Sequence, residues 1–151
     1  GGVQRVYLNG QDVSEEIRTP EVSMGASAVA ALPCVREFLF EQQRRIAREK
    51  NCIMDGRDIG TVVLPDAQVK VFLTASAEER ARRRYRELLE KGEDVLFEEV
   101  LRDVQERDYN DSHRAVAPLK QAEDAVLLDT TGITLEESVS RLIQCIKERS
   151  Q

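Results

Sequence analysis

A chain of 151 residues, 41% hydrophobic and 33% charged, has one-domain length and enough apolar content to bury a core. Its 22 basic and 28 acidic side chains leave a net charge of −6, which speaks against general nucleic-acid binding. No apolar run approaches membrane-spanning length, and the opening Gly-Gly-Val-Gln-Arg lacks a signal-peptide pattern, so no membrane or export role is expected.

In chain order, Arg5 to Val13 is predicted to form a short hairpin turning at Asn9-Gly10, and Thr19-Pro20 to follow in extended form. Ala26 to Ala31 and Val35 to Glu49 read as helical, separated or kinked at Pro33. Cys52-Ile-Met is expected as a short buried strand ending in Asp55-Gly-Arg-Asp58, and Val69 to Ala75 as a second strand. Ser76 and Glu79 form a capping box for a helix that runs to about Lys91, where Gly92 stops it. A helix over Leu96 to Arg114 comes next, then a third strand over Ala125 to Asp129. Thr134 with Glu137 caps a last helix whose Leu135, Val139, Leu142 and Ile146 share one face. Strands alternating with helices imply the α/β class, a parallel sheet with flanking helices. Cys34, Cys52 and Cys145 are widely spaced without metal-ligand spacing, and read as small core hydrophobes in a reducing cytoplasm; no metal ligands are expected.

The helix over Leu96 to Arg114 carries the most telling pattern. Leu96, Val100 and Val104 stack on one face at 100° per residue. The same line meets Arg107, Asp111 and Arg114 within a sector of roughly 80°. Buried charges are paired or bind a charged ligand. Two guanidiniums around one carboxylate leave a positive charge that a phosphate would neutralise. An exposed helix end with an i,i+4 ion pair explains the triplet equally well. The excess of arginine, 17 against 5 lysines, adds weak support for phosphate recognition.

In α/β folds ligands sit outside the carboxyl ends of the strands, which is where Asp55-Gly-Arg-Asp58 is expected. A polar turn is the plain alternative. The run Arg80-Ala-Arg-Arg-Arg-Tyr-Arg86 approaches the same edge. Ala77, Ala81, Tyr85 and Leu88 would form its packed face, leaving Arg80 and Arg84 along one border and Arg82, Arg83 and Arg86 in solvent. An i,i+4 arginine pair at that place suits a polyphosphate.

Several stretches form one chain of motifs: Val6-Tyr-Leu-Asn-Gly-Gln-Asp-Val13, Ile17-Arg-Thr-Pro-Glu-Val22, Ala28-Val-Ala-Ala31 with Val35-Arg36, Asp55-Gly-Arg-Asp58-Ile-Gly-Thr-Val-Val63, Glu78-Glu-Arg-Ala-Arg-Arg-Arg84, Arg107-Asp-Tyr-Asn-Asp111 and Arg114-Ala-Val-Ala-Pro-Leu119. Together they closely resemble the bacterial cytidylate kinases. The resemblance covers essentially the whole chain. It implies a nucleoside-monophosphate-kinase fold of the P-loop kinase type, with phosphoryl transfer from ATP, accompanied by Mg²⁺, to CMP or dCMP, giving CDP or dCDP. By the same resemblance Ser27, Arg36 and Asp58 read cytosine, and Arg57 and Arg114 hold the monophosphate. Arg107 and Asp111 lie near the sugar and phosphates, and Arg80 and Arg84 are lid arginines bordering ATP. Residues 1–50 would form the monophosphate-binding insertion, and residues 51–151 the C-terminal part of the core, with the lid around 80–95. Chemistry agrees: cytosine presents an amino donor that a carboxylate accepts, whereas uracil would set a carbonyl against Asp58.

One departure from the family matters. No G-x-x-x-x-G-K-[ST] occurs in the 151 residues, so the chain looks like a fragment whose fold is incomplete at its N-terminus. Three functions follow as expectations. The chain is the C-terminal part of a cytidylate kinase, or a binding module that keeps only the CMP half-site, or an α/β domain whose arginines serve protein contacts. The motif chain disfavours the third. A complete protein of this kind is expected in the cytoplasm as a monomer, whereas this chain alone is expected either to bring the Cys52-Ile-Met and Val69-Lys-Val-Phe-Leu strands together or to self-associate through their edges, and should transfer no phosphate.

Overall fold

The computed structural model of the chain describes residues 4–30 and 32–149. It divides into two compact units, Gly1–Cys52 and Ile53–Gln151.

The first unit opens with an antiparallel pair, β1 (Tyr7–Leu8) and β2 (Gln11–Asp12). Asn9 and Gly10 have φ of 52° and 84°, the double left-handed turn that an Asn-Gly pair adopts at little cost. Beyond it, Asp12 accepts the Ser14 N–H and hydroxyl at 3.0 and 2.5 Å and Arg5 at 2.6 Å, while the buried Ser14 Oγ accepts the Val6 N–H at 2.9 Å. Thr19 is extended, as the residue before a proline should be. Helix α1 (Pro20–Ala30) starts at Pro20 rather than at Ala26, because proline at the first helical position loses no hydrogen bond. Helix α2 (Pro33–Glu49) likewise starts on Pro33, which therefore separates two helices instead of kinking one. The expected end of the first helix at Ala31 lies outside the described residues.

Cys52-Ile-Met, from the last residue of the first unit into the second, is not the buried strand its composition suggests. Residues 51–55 have no regular structure, and Ile53 is 92% exposed. Three apolar residues form too few ladder bonds to hold an extended segment unless a neighbouring strand pairs with them. Past Asp58 the backbone makes one wide turn over Ile59–Val63, with bonds from the N–H of Val63 to the carbonyl of Asp58 and from Leu64 to Ile59, at 3.2 and 2.7 Å. Such five-residue turns are rare and concentrate at functional sites.

Strands β3 (Val71–Thr74) and β4 (Val126–Asp129) run parallel, with Val71 opposite Val126 and Thr74 opposite Asp129. Among the described residues this sheet has two strands, not three. Helix α3 (Ala77–Glu90) follows β3, and the Ser76 hydroxyl accepts the Glu79 N–H at 3.1 Å. The capping box is only half built, because the Ser76 N–H goes to Thr131 Oγ1 and the Glu79 carboxylate to Arg83. Gly92 (φ 80°) ends α3 with bonds from Glu93 N–H to Leu88 and Gly92 N–H to Leu89, both of them carbonyls the helix would otherwise leave open.

Helix α4 (Phe97–His113) packs antiparallel-fashion against α3 through a short connection. Ala81, Leu88 and Val100 are buried between them, ringed by Tyr85, Val95, Phe97, Leu101 and Val104. Tyr85 and Phe97 meet edge to face with centroids 5.9 Å apart, a geometry worth about 0.5–1.5 kcal/mol beyond burial. Helix α5 (Leu135–Arg149) is capped by Thr134 through the Glu137 N–H at 3.1 Å and touches β4. Of its expected apolar face, Leu142 and Ile146 are half-buried, whereas Leu135 and Val139 stay exposed. The cysteines are not core residues as a set: Cys34 and Cys52 are exposed and only Cys145 is half-buried.

Candidate functional site

The inward face of α4 sets the geometry of the site. Phe97, Val100, Leu101, Val104, Asp108 and Asp111 are buried or half-buried, while Leu96 and Arg107 are exposed. The buried stripe is therefore centred roughly 80° round from the line through Leu96 and Arg107, at 100° per residue. Leu96 is the residue before the helix, so it is a poor origin for the stripe. Arg107 is thereby displaced from the inward position expected of it, and Asp108 takes that place. Arg114 also lies just past the helix, in extended conformation.

Two acid–arginine pairs meet at this end of α4. The Arg57 Nε–H donates to Asp111 Oδ2 at 2.8 Å. Arg114 Nη2 lies 3.7 Å from Asp58 Oδ1, and Asp58 is only 9% exposed. The wide turn after Asp58 fixes this residue, since its carbonyl accepts both the Val62 and Val63 N–H groups. Gly56 is needed here too, because a Cβ there would come within 2.8 Å of the Ile59 side chain. On the other side, Arg114 Nε donates to the carbonyl of Ala117 at 2.5 Å, and Ala117 has a φ of 50°. The Leu119 N–H returns to the Asp111 carbonyl at 2.8 Å, folding the loop back over the helix end. Arg114 Nη2 is buried and has no hydrogen bond among the described residues. A desolvated guanidinium donor left open in this way is costly unless an acceptor fills the gap.

Arg80 is held separately. Its Nη1 and Nη2 donate to the two oxygens of Asp108 at 2.7 and 2.5 Å, and its Nε donates to the Ala75 carbonyl at 3.0 Å, just past the end of β3. The Asp108 hydrogen bonds keep the guanidinium even more firmly protonated than usual. Arg84 has a looser partner, Glu87 at 3.0 Å, which Lys91 shares at 2.8 Å. Arg83, expected in solvent, is tied to the Thr130 carbonyl at 2.7 Å and to Glu79 at 2.9 Å, and so anchors α3 to the end of β4.

The second unit thus brings Arg57 to Asp111 and Asp58 to Arg114, and binds Arg80 to α4. It leaves Arg107 exposed, with no ion pair or side-chain hydrogen bond among the described residues. Arg36 and Ser27 lie in the first unit. Arg36, on α2, donates to the Ala30 carbonyl at 3.5 Å and stacks on Phe40 with 5.4 Å to the ring centroid. Ser27 is on α1, and its side chain lies outside the described part of the structure. Asp108 was missed in the sequence; its signal was the four-residue step from Val104 once the stripe is drawn from Phe97. A separate open groove between α3 and α5, floored by Leu73, Leu135, Val139 and Leu142, contains none of the expected site residues.

A parallel α/β unit with arginines and carboxylates gathered beyond the strand ends has the build of a nucleoside-monophosphate-kinase domain. The comparisons name the branch. The family model for cytidylate kinase matches residues 2–148, and the chain belongs to that family. It is 56% identical over 147 residues to a cytidylate kinase of Carboxydothermus hydrogenoformans, covering 97% of this chain and 66% of that protein. It is 56% identical over 148 residues to one from Caldanaerobacter subterraneus subsp. tengcongensis, and 54% identical over 151 residues to one from Streptococcus pyogenes. The chain therefore spans just under two thirds of the length of these relatives.

Proposed function

We propose that the protein carrying this chain transfers a phosphoryl group from ATP to CMP or dCMP, giving CDP or dCDP. One observation carries this reading: the open Arg114 Nη2 beside the Asp58 carboxylate, next to the Arg57–Asp111 pair. An acceptor phosphate would take the unsatisfied guanidinium donor, and Arg57 could swing from Asp111 to share the charge. Asp58 would read the cytosine amino edge, and Asp111 and Arg107 would face the sugar and phosphates. Arg80 and Arg84 would hold the polyphosphate as charge shifts between donor and acceptor.

The donor set fits phosphate oxygens rather than a protein-built metal cage, since no group of three or more His, Cys, Asp or Glu side chains converges among the described residues. Mg²⁺ commonly binds through phosphates and waters, and would neutralise phosphate charge when it arrives with ATP. No helix among the described residues is long and apolar enough to cross a membrane. We place the protein in the cytoplasm, acting on small nucleotides. Among the described residues β3 pairs with β4 alone, and this open edge with the 60% exposed Leu73 supports self-association of the chain when expressed alone, which light scattering would test against a monomeric mass.

A second reading is favoured by one observation. The 151 residues contain no Gly-rich phosphate loop with its lysine, so by themselves they would bind CMP without catalysis. The experiment that tests the main reading is Asp58→Ala in the full gene product. CMP affinity should fall roughly ten- to a hundredfold, the worth of a charged hydrogen bond, while the ATP KM stays put. Unchanged CMP parameters with a raised ATP KM would contradict it.

A further inference from the structure

We infer that Asp108 is a positioning residue that orients Arg80 toward the phosphoryl group in flight. This rests on the phosphoryl-transfer reading above and adds to it a residue within the Arg107–Asp111 motif to which the resemblance gives no role. Three of the five guanidinium N–H bonds of Arg80 are committed, two to Asp108 and one to the Ala75 carbonyl. A guanidinium is planar, so three fixed bonds leave its remaining two N–H groups with a set direction. The anchor points differ in kind. Ala75 belongs to the strand end, where an α/β sheet presents ligands, while Asp108 stands on α4, within one turn of Asp111. Arg80 therefore bridges the sheet and the helix that carries the acceptor-side pair Asp111–Arg57.

The neighbouring arginine provides an internal contrast. Arg84 has one partner, Glu87, within its own helix, and that carboxylate is shared with Lys91. Nothing in that arrangement fixes Arg84 relative to the strand end. Preorganised charge stabilises a transition state because no reorientation is needed as charge develops, so the fixed arginine is the one suited to the transferring group.

The test compares wild type, Arg80→Ala, Asp108→Asn, Asp108→Glu and the Arg80→Ala/Asp108→Asn double variant in the full gene product, assayed for CDP formation from ATP and CMP. Arg80→Ala should lower kcat about a hundredfold and Asp108→Asn at least about tenfold, with the CMP KM within about twofold in both. Asp108→Glu should recover part of the loss, and the double variant should be no slower than Arg80→Ala alone, as expected when one residue acts through the other. A purely structural role would instead lower melting temperature and add its effect to that of Arg80→Ala. Wild-type kcat in Asp108→Asn, or additive losses in the double variant, overturns the positioning role while leaving the reading of the site intact. A wild-type protein that makes no CDP overturns that reading itself, and this role with it. If Asp108→Asn fails to fold, the Asp108→Glu variant decides through the same kcat comparison with Arg80→Ala.

Discussion

Arg57 Nε and Asp111 Oδ2 lie 2.8 Å apart although 54 residues separate them in sequence. The pair draws the loop after residue 55 onto the C-terminal turn of α4. Its arginine is 42% and its carboxylate 16% exposed, so water screens one side and the bond adds little to stability. On the proposed function its value is spatial, since it would hold a guanidinium where a phosphate can take it over from the carboxylate.

Asp111→Asn should therefore change ligand affinity more than folding. The expected outcome is a fall of about tenfold in CMP affinity, with the melting temperature moving by no more than about 4 °C. Calorimetric titration and a thermal melt on the same sample check both halves.

Gly60 makes a different kind of claim. A Cβ at this position would sit 3.3 Å from Lys70 Cδ, inside normal contact distance. The lysine stem cannot easily give way, because its side chain is 8% exposed and its ammonium binds Asp124 at 2.6 Å and the Pro65 carbonyl. Gly60→Ala should cost about 1 kcal/mol of stability through overpacking. Lys70→Ala removes the atoms that make that clash, so urea denaturation should show the double variant losing less than the sum of the single losses.

The acid limb of stability follows from four carboxyls held below their ordinary range. Asp12 is lowered chiefly by the Ser14 hydroxyl, Glu87 by Lys91 and then Arg84, Asp124 by Lys70, and Asp129 by the Thr131 hydroxyl. Each favours the charged form in the folded state. Their stabilisation is therefore complete above the ordinary carboxyl value of about 4 and is lost as pH falls through the lowered values. Thermal melts should be level from neutral pH down to about 5 and drop below about 4, and Asp124→Asn should flatten that drop.

Much of the fold is legible in the sequence where a local rule governs it. Asn9-Gly10, Ser76 with Glu79, Gly92 and Thr134 each mark a turn or cap whose chemistry is settled within a few residues, and the structure places them there. Cys52-Ile-Met shows the opposite case, because an apolar triplet becomes a strand only when another strand pairs with it, and pairing is not a local property. The α4 stripe lies between these cases. Its period was readable, but its phase depended on whether Leu96 or Phe97 begins the helix, and that one-residue choice decided whether Arg107 or Asp108 faces inward. Asp58 and Arg114 could be proposed from resemblance, yet the wide turn at Ile59–Val63 and the left-handed Ala117 that orient them leave no periodic trace.

The central claim is that the cluster of Arg57, Asp58, Asp111 and Arg114 binds a cytidine monophosphate. Calorimetric titration of the full gene product with CMP and with UMP, repeated on Arg114→Ala, tests it most directly. The account predicts CMP bound at least about tenfold more tightly than UMP by the wild type, and both weakened together by Arg114→Ala because the phosphate contact is common to them. Equal affinity for the two bases, or CMP affinity untouched by Arg114→Ala, would contradict it.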